Sequence, residues 1–60
     1  MTLSIRQERF AKEYVVDLRA EQAALRAGYH PRLAQAYGQR LLNQPEVLAA
    51  IEEEFLALQK

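Results

Sequence analysis

The sequence has no cysteine and no tryptophan, one histidine, and only two glycines and two prolines in its sixty residues. Without cysteine there is no disulfide staple and no thiolate metal site. A lone histidine (His30) has no orienting third group, so no catalytic relay can be assembled around it. With glycine only at 28 and 38, a glycine-rich phosphate loop is excluded. Six β-branched residues (Thr2, Ile5, Val15, Val16, Val47, Ile51) are too few to support a strand pattern. No apolar run approaches the ~18 residues of a membrane span, and Met1–Phe10 lacks the apolar stretch of a signal peptide. Net charge is missing too: eight Lys plus Arg balance eight Asp plus Glu.

What is present is half apolar, which sets the chain apart from disordered sequences. The charges are unevenly spread. Residues 1–40 hold Arg6, Arg9, Lys12, Arg19, Arg26, Arg32 and Arg40 against Glu8, Glu13, Asp17 and Glu21, whereas residues 41–60 hold four glutamates and one lysine. A mildly basic body is followed by an acidic end. The length admits one small domain, residues 1–60, with a core contributing ~3–5 kcal/mol.

The apolar spacing predicts an all-α bundle of about four helices. The first spans Ile5 to Leu18, capped by Ser4 with Gln7 completing a capping box, and buries Phe10, Ala11, Tyr14, Val15 and Leu18. The second, Ala20 to Ala27, has small residues that allow close approach. Gly28 ends it in a left-handed conformation, and Tyr29 folds back as the apolar contact after the cap. The third begins at Pro31, a residue suited to the first helical position, with His30 at the cap. It turns Leu33, Ala34, Tyr37 and Leu41 inward. The fourth, about 45–58, carries a main stripe of Val47, Leu48, Ile51, Phe55 and Leu58, with Ala49 and Leu56 on another side.

Residues 20–42 carry the strongest functional pattern. A short helix of small residues, a Gly-Tyr-His-Pro turn and a second helix with a polar outer face make a helix-turn-helix pattern, which presents its second helix to the DNA major groove. Arg32 can donate to guanine or phosphate, Gln35 and Gln39 can pair with adenine, and Ala36 can touch a thymine methyl. Arg26 and Arg40 flank this face as phosphate contacts. His30 joins the candidate DNA contacts from the turn, although a cap or backbone contact is its simpler role. No acidic residue interrupts Pro31 to Gln44. Glu52, Glu53 and Glu54 point ~100° apart on a helix and converge on nothing, so no enzyme, metal or cofactor is expected. The competing reading is a protein-interaction or oligomerisation module without DNA contact, with Ala49 and Leu56 as its apolar surface.

Three blocks, RQERFAKEYVVD (6–17), QAALRAGYHP (22–31) and RLLNQPEVLAAI (40–51), together resemble the N-terminal domain of phage terminase small subunits in order and spacing. The resemblance covers nearly the whole chain. It implies a non-catalytic factor that recognises viral double-stranded DNA to initiate genome packaging. It also implies assembly as a ring-like homo-oligomer and transfer of the DNA to the terminase large subunit, in the cytoplasm of the bacterial host. The family's helix-turn-helix maps onto Ala20–Ala27 and Pro31–Leu42, which carries DNA contact to Arg32, Gln35, Gln39 and Arg40. The departures touch caps. Arg19, Ala20, Glu21 and Gln22 replace a common Asn-Ala-Thr-Gln, leaving the second helix without its usual polar cap. Asn43, Gln44 and Pro45 replace Lys-Asn-Pro.

Overall fold

Helix α1 (Ile5–Asp17) opens with both halves of the expected capping box. The Gln7 backbone N–H donates to Ser4 Oγ at 3.1 Å, and the Ser4 N–H donates to Gln7 Oε1 at 2.8 Å. The computed structural model describes residues 3–59, and these hold three further helices, α2 (Ala20–Arg26), α3 (Ala34–Leu41) and α4 (Pro45–Leu58), with no strand among the described residues. The fold is an all-α bundle.

Helix α1 is the hub, packing on both α2 and α4, while α2 packs on α3. The interior gathers Phe10 and Ala11 of α1, Ala23, Ala24 and Ala27 around α2, Ala34 and Leu41 of α3, and Val47 and Ile51 of α4. Among the described residues only Phe10 and Val47 are large side chains with almost no exposure. A core of alanines works only if the helices come close. Gly38 shows how close: a Cβ there would sit 2.8 Å from the Ala20 carbonyl oxygen. The Gln7 side chain donates to Gln44 Oε1 at 3.0 Å, joining the start of α1 to the start of α4.

The cap of α2 follows its sequence closely. Gly28 takes φ +102°, the Tyr29 N–H reaches the Ala24 carbonyl at 3.0 Å, and the Gly28 N–H reaches Leu25 at 3.1 Å. These two bonds satisfy carbonyls that the helix end would otherwise leave open. The N-terminus of α2 has no side-chain cap, as its composition implied.

Four expectations are corrected. Helix α1 ends at Asp17, and Leu18 turns left-handed (φ 60°) as its cap, which puts the Leu18 side chain in solvent. Helix α3 starts at Ala34 rather than Pro31. The His30 carbonyl accepts from the Leu33 N–H at 2.9 Å, so residues 31–33 close a three-residue turn before the first helical bond can form. Leu33 is consequently 47% exposed instead of buried. On α4, Val47 and Ile51 are buried, but Leu48, Phe55 and Leu58 are exposed. That part of α4 is left open to solvent, and Leu58 stays 65% exposed.

Candidate nucleic-acid interface

The surface of α3 is set by what α2 takes from it. Ala34, Gly38 and Leu41 face inward, which turns Gln35, Ala36, Gln39 and Arg40 to solvent. Gly38 sits against the Ala20 backbone and braces α3 on α2 there. Arg32 is exposed in the turn ahead of the helix. Its backbone N–H donates to His30 Nδ1 at 3.1 Å, so His30 commits one of its two ring nitrogens to the turn. Arg40 lies over the Tyr37 ring, 5.7 Å from its centroid. Leu33, Ala36, Tyr37 and Arg40 line a shallow cleft of about 100 Å³ on this surface.

Arg26 has an occupation besides the one expected of it. Its Nε donates to Glu13 Oε1 at 2.7 Å, Nη1 to Asp17 Oδ2 at 3.2 Å, and Nη2 to the Glu13 carbonyl at 2.9 Å. Through these bonds it fastens α2 to α1. The Arg26 guanidinium in turn holds the Asp17 carboxyl below the usual carboxylate range, and the Arg19 N–H adds to this. Ala49 and Leu56 are both exposed on α4, with Glu52 and Glu53 between them in sequence.

Arg6 and Arg9 are both exposed on α1. Arg6 reaches the turn between α2 and α3, its guanidinium 5.4 Å from the centre of the Tyr29 ring. Tyr29 stacks on Tyr37 with centroids 5.2 Å apart and planes at 29°. Burial raises the Tyr29 hydroxyl above its ordinary value, so it stays a neutral donor. The local sequence held one signal of this: a tyrosine after the Gly28 cap folds back. It held none that the first turn of α1 would meet it.

Among the described residues no group of three or more His, Asp or Glu stands close enough to hold a metal ion. No helix among them is long and apolar enough to cross a membrane. Residues 3–60 match the family of terminase small subunits. Terminase small subunits of Bacillus phage SF6 and Bacillus phage rho15 are each 43% identical to the chain over 51 residues. Those stretches cover 83% of this chain and 35% of each relative, so the chain spans about a third of their length. No solved structure matches the chain.

Proposed function

The chain belongs to the terminase small-subunit family, and on that footing we propose that it is a non-catalytic module that recognises viral double-stranded DNA to initiate genome packaging. The observation that carries this reading is the outer surface of α3. Gln35, Ala36, Gln39 and Arg40 are exposed together, and no acidic residue lies between Pro31 and Gln44. In this reading α2 and α3 act as a helix-turn-helix, with α2 bracing and α3 entering the major groove. Gln35 and Gln39 pair with adenine edges, Ala36 meets a thymine methyl, and Arg32 and Arg40 take guanine or phosphate. His30 and Arg26 join these contacts from the turn and from the end of α2. The module works within a homo-oligomer that passes DNA to the terminase large subunit, in the host cytoplasm. Oligomerisation raises the effective concentration of a weak single site.

Replacing Arg32 and Arg40 together by alanine should cut affinity for labelled duplex DNA by ~10-fold or more. It should also lower the slope of log affinity against log salt by about 2, because each cation released from phosphate contributes about 0.9. Helicity measured by circular dichroism should not change. Unaltered affinity would remove α3 from the interface.

A second reading, association through α4, is favoured by one observation. Leu48, Phe55, Leu56 and Leu58 are all exposed on that helix, Leu56 to 58%.

A further inference from the structure

Three guanidiniums stand on the flank between α1 and α3, and they differ from Arg26 in having no carboxylate. Arg6 and Arg9 come from the first two turns of α1, and Arg40 from the last turn of α3. The ion pairs found among the described residues all belong to Arg26. Glu8, the acid nearest to Arg6 and Arg9 in sequence, faces away and lines the cleft between α1 and α4 with Lys12 and Glu53.

Two of these cations are held by aromatic faces. Arg6 lies over Tyr29, Tyr29 stacks on Tyr37, and Arg40 lies over Tyr37. The four side chains make one continuous ladder from the start of α1 to the end of α3. The ladder passes beside Gly28, where even a Cβ would make only ordinary contact, 3.8 Å from Arg6 Nε. A groove of about 470 Å³ runs along one side of Tyr29, lined by Ile5, Arg6 and Arg9. Another of about 440 Å³ runs along the other, lined by Gln7, Tyr37 and Arg40. A guanidinium donates in its own plane, so stacking on a ring leaves its N–H edges free for an anion. Stacking also restricts its rotamers in advance, so less entropy is lost on binding.

We propose that this ladder, with Arg9 beside it, is a second contact to DNA: it grips the phosphate backbone next to the stretch that α3 reads. The inference rests on the DNA-binding reading of α3. A phosphodiester chain is the occupant that fits, because the flank offers cations and hydrogen-bond donors and no acidic group. Arg40 makes it continuous with the α3 surface, since Arg40 shares a cleft with Ala36 on one side and a groove with Gln7 on the other.

The test is a salt series of binding to labelled duplexes by the full chain, by Arg6→Gln/Arg9→Gln, and by Lys12→Gln as a cation from the opposite cleft. The double variant should lose ~10-fold or more in affinity and lower the salt slope by about 1–2. The loss should be equal for every duplex sequence, since phosphates carry no base identity. Lys12→Gln should bind like the unaltered chain. Retained affinity and slope in the double variant, with α3 still binding, overturns the ladder as a contact. So does a loss confined to one sequence with the slope unchanged, which would mean that Arg6 and Arg9 only position α3. An equal loss in Lys12→Gln overturns it as well, by showing that general charge is what counts. No binding by the unaltered chain overturns the α3 reading and this inference with it.

Discussion

Arg26 illustrates how a residue's role depends on partners far along the chain. Read locally it is a cation at the end of a helix, beside a turn, and so a natural phosphate contact. Its partners lie 9 and 13 residues earlier, on another helix, and no local pattern announces them. The pairing has a pH consequence with a definite sign. The Asp17 carboxyl titrates below its usual range because the Arg26 guanidinium donates to it. A lowered folded value means that the carboxylate form stabilises the fold. That contribution is present in full above about pH 4 and is lost as pH falls through the lowered value. A carboxyl-detected NMR titration should place the Asp17 midpoint below the ordinary aspartate value. Arg26→Gln should move the Asp17 midpoint back up. An unchanged Asp17 midpoint in that variant would show that the pair does not form in solution. His30 is the opposite case. Its part in the turn was readable, because the Arg32 N–H that it accepts is two residues away.

At the scale of elements, what was legible is what the sequence encodes locally. The capping box of α1, the glycine cap of α2 and Pro45 at the start of α4 all stand where residue types put them. The start of α3 was misplaced because proline tolerates a first helical position but does not impose one, and the bond from Leu33 to His30 wins there. Asn43, one residue early for a cap of α4, instead closes α3, its Nδ2 donating to the Gln39 carbonyl at 3.0 Å. The spacing of α2 and α3 turns on Gly38, whose importance no periodicity signals. Gly38→Ala would drive a methyl to 2.8 Å from the Ala20 oxygen, a backbone atom that cannot rotate away. We expect a loss of ~1–3 kcal/mol in urea unfolding. The midpoint temperature should fall by ~4–8 °C for each kcal/mol. A variant as stable as the unaltered chain would mean that the two helices are looser than described. DNA affinity should fall along with stability, since the surface of α3 is only as well placed as its brace.

At the scale of the molecule, the four helices span 35 × 26 × 17 Å, too thin to bury both sides of α4. The sequence pattern showed α4's apolar residues but not which of them would find a neighbour. Phe55 and Leu58 lie on the stripe that was expected to be inside, yet they face solvent with Leu56. If these residues associate, Leu56→Glu should weaken the assembly ~10–100-fold, the equivalent of ~1.5–3 kcal/mol for one leucine. Sedimentation at rising concentration would measure this. A chain that stays monomeric throughout, with or without the substitution, would dismiss the α4 reading and leave DNA as the partner that brings copies together.

The alanine interior has a consequence for how the molecule answers to temperature. Five of the nine buried apolar residues among those described are alanines, so melting uncovers little hydrocarbon for the chain's length. Hydrating uncovered hydrocarbon is what raises the heat capacity on unfolding. The rise is therefore small, and stability varies gently with temperature instead of peaking sharply. The transition is broad, and the hot and cold limits of the native state stand far apart even though the protection between them is shallow.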